Sequence, residues 1–506
     1  SSLAPLHPLL NPSHSVCMSS SQWVAVHEDD HDDSLSLTVP NSLRSTDSER
    51  EKDVPESLKQ VFLQSLVPFF LGGISSVVTG IFINFTQSTA LYIGLPELFS
   101  IAPPLQGLKG NVELILVAKL STLVNKNELT GEDRKKSILA CVGLQQLQLT
   151  LICPLVASFV VGKTAFSFAA RDGRCDWSMT AFFFVFSSSL LSIIISSLLV
   201  SSALIALILI AGHFSINPDN ITIPVTSSIS DIITVIVLYG ISSLLSGRTL
   251  YNADWWPGML VFLFLLGLVP LWICLHRKRD DTRKALRTSW CTLVFSSVLS
   301  SATGFVLLEA VAAHHDVTIL YPIMLGVVGN RTAMLTSRMS TSLHMKTRLG
   351  VLPDERRVRD YVNPWMVFTS ADGNSRLIRL LVLTAVPFEI FFVCFAVVIS
   401  SWIDGVDSIR FTPQICALYL SVAMLDKLFL FYLSHLMVHV MWNYHIDPDF
   451  HAIPILSGLG DLLGVGLIVA AYFIHDISFQ KDELNNLPVP VENDTLLCNA
   501  TLLRIY

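Results

Sequence analysis

The 506-residue sequence predicts an all-α polytopic membrane protein: eleven transmembrane helices, arranged as two five-helix repeats joined by one linker helix. Three observations predict it. Only 14% of the residues are charged against 52% hydrophobic, whereas a soluble chain carries roughly 25% charged residues. The apolar residues gather into runs that reach the ~18–20 residues needed to span a bilayer. Two blocks of sequence also recur far downstream, in the same order and at nearly equal offsets. The net charge of −7 argues against a nucleic-acid binder, and the apolar fraction against a disordered or collagen-like chain. Nine cysteines over this length make no disulfide scaffold.

Residues 1–56 stand apart as an acidic cytosolic tail, rich in Ser, Pro and His and without a sustained apolar period, which reads as disordered. No basic flank precedes a short apolar run there, so no signal peptide is expected. The run His27-Glu28-Asp29-Asp30-His31-Asp32-Asp33 reads as a solvated acidic stretch rather than a divalent-ion site. Ten acids and three bases in this tail account for the whole net charge, and the remaining chain balances at thirty of each sign.

The first repeat, 57–247, holds spans 58–83, 91–123, 138–162, 178–212 and 222–246. The second of these carries Pro103 to Asn111, the fourth is unusually long, and the fifth carries Asp231. Segment 248–287 supplies one linker helix, 257–275, followed by a basic loop. The second repeat, 288–476, holds spans 289–312, 317–341, 377–401, 413–441 and 452–475, with Asn330, Glu389, Asp426 and Asp461 on the last four. Several spans are rich in Ser and Gly, which suits close helix contact in lipid. Residues 477–506 form an extracellular C-terminal tail.

Loop charge sets the orientation. With the N-terminus cytosolic, segments 125–136, 276–287 and 342–379 hold seventeen Lys and Arg, against five in 163–177, 248–256 and 402–412. That is a firm positive-inside bias. Eleven crossings place the C-terminus outside, where the sequons at Asn493 and Asn499 would be glycosylation acceptors. Cys175 and Cys498 fall on the same side and either pair or remain two thiols.

The repeat is read from its matches. Pro103-x-x-x-Gly107-x-x-Gly110-Asn111 returns as Pro322-x-x-x-Gly326-x-x-Gly329-Asn330, an offset of 219. Asn217-Pro218-Asp219, Ile223-Pro224, Ser227 and Asp231 return as Asp447-Pro448-Asp449, Ile453-Pro454, Ser457 and Asp461, an offset of 230. Two adjacent five-helix units would insert upside down relative to each other, and the extra linker crossing restores one orientation. The repeats are therefore parallel, related by a pseudo-twofold axis along the membrane normal. A pore on that axis is the natural product.

Asp231 and Asp461 lie about nine residues into their spans, roughly 13 Å at 1.5 Å per residue and close to mid-bilayer. A carboxylate there costs at least ~2.5 kcal/mol and marks a functional site by default. Two at one depth make a diacidic ring for a cation. Small neighbours such as Ser227 and Ser457 leave room for a hydrated ion. Mg²⁺, which keeps its waters and takes one or two carboxylates, fits better than Ca²⁺ or Zn²⁺. Asp219 and Asp449 either gather cations at the cytosolic mouth or cap their helices. Asn111 and Asn330 either line the pore wall or bridge helices. Glu389 and Asp426 are acids of the second repeat alone, and Asp426 reads as a local salt bridge or a snorkelling group beside Lys427. His435, His439, His445 and His451 read as interfacial rather than metal-binding. Lys109 opposite Val328, like Asn217 opposite Asp447, makes the pore mouth less than twofold.

As a set, these motifs and the five-plus-one-plus-five layout resemble solute carrier family 41, animal relatives of the bacterial MgtE magnesium channels, over residues 58–475. The resemblance implies an MgtE-like fold and plasma-membrane transport of Mg²⁺ and other divalent cations, as a channel or with Na⁺ as the coupling ion. In the bacterial family an aspartate of the fifth helix from each of two subunits lines the pore. Asp231 and Asp461 match that position, so one chain would supply both halves as a monomeric pseudo-dimer. The sequence departs from the bacterial pattern in lacking a soluble segment large enough for nucleotide-sensing regulatory modules. Two other classes fit less well. Gly458-Leu459-Gly460-Asp461 matches the GxGD signature of intramembrane aspartyl proteases, but Asp231 follows Ser230 rather than Tyr and no Pro-Ala-Leu segment is present. A membrane scaffold or receptor with structural acids is the other, and neither explains the duplication.

Overall fold

The computed structural model describes residues 58–125, 133–172, 178–213, 218–249, 254–277, 280–353, 361–403 and 412–480. The acidic tail, Cys175, Cys498, Asn217 and the sequons at Asn493 and Asn499 lie outside these residues. Among the described residues every regular element is helical: α1 (Leu58–Gln87), α2 (Ala90–Gly94), α3 (Pro96–Asn125), α4 (Asp133–Asp172), α5 (Met179–His213), α6 (Pro218–Thr249), α7 (Trp256–Leu266), α8 (Val269–His276), α9 (Asp280–Ala313), α10 (Val317–Lys346), α11 (Pro364–Thr369), α12 (Gly373–Ser400), α13 (Pro413–Asn443) and α14 (Pro448–His475).

Among the described residues, ten stretches are long and apolar enough to cross a membrane. In lipid a helix satisfies its own backbone polar groups, which is why such runs take this form. The predicted span 91–123 also forms a helix, α3, but Glu97, Lys109, Glu113 and Lys119 keep it outside that apolar class. Two of these charges, Lys109 and Glu113, are fully buried among other helices. The predicted linker helix 257–275 is broken into α7 and α8 at Gly267–Leu268. Pro270 has no N–H to offer the carbonyl of Leu266, which removes one backbone bond across the break.

The packing comes in matched pairs. α1 lies on α6 and α9 on α14; α5 lies on α6 and α13 on α14; α3 lies on α6 and α10 on α14. The first helix of each predicted repeat crosses over, α1 packing on α10 and α12 while α9 packs on α3 and α4. α7 and α8 lie against α5 and α4.

Glycine makes those crossings close. A Cβ on Gly80 of α1 would stand 2.7 Å from the carbonyl oxygen of Ile319 in α10, and one on Gly304 of α9 would overlap the carbonyl oxygen of Ser100 in α3. One turn deeper, Gly107 of α3 meets Ser300 Oγ and Gly326 of α10 meets Ser76 Oγ. Small residues at such points let backbones touch, the dominant source of helix association in lipid.

Candidate functional site

α6 and α14 each place an aspartate thirteen residues after an initial proline, Pro218 to Asp231 and Pro448 to Asp461. Both helices begin one turn earlier than their hydropathy suggests. Asp447 caps α14, its Oδ1 accepting the Asp449 N–H at 3.1 Å. The two helices bring Asp231 and Asp461 to one cavity of about 140 Å³. Both copies of the recurring α3/α10 motif line it: Pro103, Gly107, Gly110 and Asn111, with Pro322, Gly326, Gly329 and Asn330. Ser457 lines it as well. Asp219 and Ser227 lie on α6, but their side chains fall outside the described residues.

Asn111 does both things proposed for it: it lines the cavity, and its Nδ2 donates to Ser296 Oγ at 3.0 Å. Ser296 Oγ in turn donates to the Pro454 carbonyl at 2.6 Å, tying α3, α9 and α14 together. Ser300 Oγ donates to Asp461 Oδ2 at 3.4 Å, and Gln106 Nε2 to the Asp231 carbonyl oxygen at 3.3 Å. The motif glycines thus serve the wall in two ways: they admit α1 and α9, and they leave the cavity open.

Lys109 is not at the mouth, where its asymmetry with Val328 suggested it. Its Nζ is buried beside α6, donating to Ser230 Oγ at 2.8 Å, the Ser230 carbonyl at 3.2 Å and Thr234 Oγ1 at 3.0 Å. Glu113 Oε1 stands 3.2 Å from it. An ion pair at i,i+4 inside an otherwise apolar span was visible in the sequence, and its helical spacing was the signal to use.

The reading of Asp426 as the partner of Lys427 is corrected. Lys427 Nζ donates to Glu389 Oε2 at 2.7 Å, and Tyr419 Oη donates to Oε1 of the same carboxylate at 2.7 Å. Asp426 points elsewhere, into the cavity wall, and is 1% exposed. Adjacent residues on a helix do not face each other, which separates Asp426 from its sequence neighbour. Arg331 is also buried, its guanidinium 4.5 Å from the Phe69 ring and 5.0 Å from that of Phe388.

Asp449 is not in the cavity. It sits with Asp447 and His344, ligand atoms within 4.8 Å of one another, at the start of α14. His344 Nε2 is 3.5 Å from Asp447 Oδ1. Partial burial pushes the Asp447 carboxyl up, but the His344 contact and the Asp449 amide outweigh it and hold the group below its usual range. His435 and His439 are buried, with rings against Tyr361 and His439 Nδ1 2.7 Å from the His435 carbonyl.

A family profile described as "MgtE: Divalent cation transporter" matches residues 102–241 and 321–471. Those two stretches contain both motif copies and both cavity aspartates. The chain is 31% identical to solute carrier family 41 member 3 of Rattus norvegicus over 426 residues, covering 83% of this chain and 88% of the relative. Against solute carrier family 41 member 2 of Xenopus laevis it is 31% identical over 438 residues, covering 85% and 75%. Against member 2 of Homo sapiens it is 31% identical over 422 residues, covering 82% and 71%. No solved structure matches.

Proposed function

This chain belongs to solute carrier family 41, and from that premise we propose that it moves Mg²⁺ across a membrane through the cavity that Asp231 and Asp461 share. One observation carries the reading. Among the described residues the cavity wall carries three carboxylates, Asp231, Asp461 and Asp426, and no lysine, arginine or histidine. Asp231 and Asp461 stand at equivalent places in α6 and α14, and the surplus of negative charge is one a divalent cation would offset. Uncompensated, those charges would be expensive in a low-dielectric interior.

The chemistry of the wall favours a cation that keeps its water. Three carboxylates, two of them the repeated Asp231 and Asp461, stand among asparagines, hydroxyls and paired glycines that leave open space between them. Mg²⁺ is held in that manner, by one or two carboxylates and several waters, whereas Ca²⁺ seeks six to eight oxygens. The matched packing of α1 through α6 and α9 through α14 supports two parallel halves about a pseudo-twofold axis, with the aspartates at one depth. The excess of Lys and Arg in alternate loops supports a cytosolic N-terminus and a C-terminal tail on the outer side, and the family resemblance implies the plasma membrane. Inward movement of a divalent ion gains about 4.6 kcal/mol per 100 mV, twice the single-charge value, so uptake needs no coupling.

Flux tests this. Mg²⁺ entry into proteoliposomes is measured with and without a Na⁺ gradient for the wild type, Asp231→Asn and Asp461→Asn. Loss of flux in both variants is expected. Wild-type conduction by both would remove the aspartates from the path. Flux that vanishes without Na⁺ would replace a channel with an exchanger.

A further inference from the structure

Asp426 has no place in a two-aspartate pore, yet it stands in the wall of the same cavity. It is 1% exposed, and neither carboxylate oxygen has a hydrogen-bond partner. The cation next to it in sequence is committed elsewhere, Lys427 Nζ lying 2.7 Å from Glu389 Oε2. A carboxylate buried without a donor is costly, and such groups are retained where a ligand supplies the missing partner.

Its position relative to Asp461 is defined by α14. A Cβ built on Gly464 would stand 3.7 Å from Asp426 Oδ2, so Asp426 lies against α14 at Gly464. Gly464 follows Asp461 by three residues on the same face, a rise of about 4.5 Å toward the C-terminal end of the helix. The glycine lets Leu325 of α10 close on the same spot, its Cδ2 2.7 Å from that Cβ position, so Asp426, Leu325 and α14 meet at one point of the wall. No acid stands on α5, the helix that packs on α6 as α13 packs on α14; its thirty-five residues contain no Asp or Glu.

We propose that Asp426 is a second cation station of the cavity, contributed by α13 alone, which takes the divalent ion from the Asp231–Asp461 pair about one turn further along α14. Asp461 is common to both stations. A single ion therefore passes from a site of two carboxylates shared between α6 and α14 to one shared between α13 and α14. Ions leave a pore only where binding is weak or divided among several sites, and an adjacent carboxylate divides it. The path is directional in structure, because only one half carries the second station.

The inference rests on the proposed Mg²⁺ pathway, and the experiment separates the two. Mg²⁺ alone is the probe, and the readout is the half-saturating Mg²⁺ concentration for proteoliposome flux, together with the Mg²⁺-dependent rise in melting temperature of the detergent-solubilised protein. Asp426→Asn is expected to raise the half-saturating concentration about tenfold or more, since even outer-shell groups at metal sites cost 10–100-fold. Asp426→Glu is expected to recover most of that loss, which a purely packing role would not allow. Gly464→Ala, made together with Leu325→Ala because its Cβ would otherwise stand 2.7 Å from Leu325 Cδ2, places a methyl 3.7 Å from Asp426 Oδ2 and gives a second route to the same shift if the Asn variant does not survive purification. Half-saturation within twofold of wild type for either Asp426→Asn or the Gly464→Ala/Leu325→Ala double variant, in correctly folded protein, overturns the station. If Asp231→Asn and Asp461→Asn also conduct normally, the pathway itself fails. If those two are silent while the Asp426 and Gly464 variants match wild type, only the second station falls.

Discussion

Replacing Lys427 by methionine keeps the length of the side chain and removes its charge. The ammonium it deletes is 2.7 Å from Glu389 Oε2, with the two side chains 2% and 1% exposed. What remains is a buried carboxylate with Tyr419 Oη at 2.7 Å as its short hydrogen bond. Breaking a buried pair from one side costs about 3–5 kcal/mol, because the surviving charge has lost its partner. Against a total stability of roughly 5–15 kcal/mol that is a severe loss. Equilibrium unfolding in mixed micelles, followed by tryptophan fluorescence, measures it. The double variant Glu389→Gln/Lys427→Met leaves Tyr419 an acceptor and no stranded charge. It is expected to be more stable than additivity allows, with a coupling of about 2 kcal/mol, within the ~0.5–3 kcal/mol seen for groups in contact. A cost below about 1 kcal/mol for Lys427→Met, the range of solvent-exposed pairs, would refute the reasoning. It would mean that water reaches Glu389.

Three further outcomes are expected. Gly304→Leu should prevent α9 from seating on Ser100 of α3, lowering the yield of monodisperse protein far more than Gly466→Leu, where a Cβ meets nothing within 4 Å; size-exclusion profiles compare them. Asp447→Ala should cost about 1 kcal/mol, the usual value of a lost N-cap. Because the folded Asp447 carboxyl is held low, its contribution is present above the ordinary carboxylate pKa of ~3.9 and fades as pH falls through the lowered value; wild type and Asp447→Ala should therefore converge in acid-unfolding curves. Lys109→Met should strand Glu113, 3.2 Å away, and destabilise by several-fold more than Lys163→Met on α4, as melting in detergent would show.

The fold was legible wherever a property runs along the chain. Apolar runs gave the helices. The Pro-x-x-x-Gly-x-x-Gly-Asn copies do line one cavity with Asp231 and Asp461. Legibility ended where direction around a helix decides the outcome. Asp426 and Lys427 are neighbours in sequence, so a pairing between them looked natural; about 100° of rotation sends one to the cavity and the other to Glu389. The Gly80–Ile319 and Gly304–Ser100 contacts were hidden for another reason. Their offset of 224 differs from the 219 and 230 of the motif blocks, and a lone glycine in a small-residue helix attracts no notice. The break at Gly267–Leu268 was signalled by Pro270, but its run of uncharged residues reads as one span.

The exchange of first helices sets a timetable for synthesis. The face of α1 at Gly80 finds its partner only when Ile319 has been made, 239 residues later. At ~5–20 residues per second a ribosome takes about 12–48 s to cover that distance. In the last part of that interval, after Thr249 has been made, the five long helices of the first half wait in the bilayer with the Gly80 face still without its partner. The protein cannot mature one half at a time.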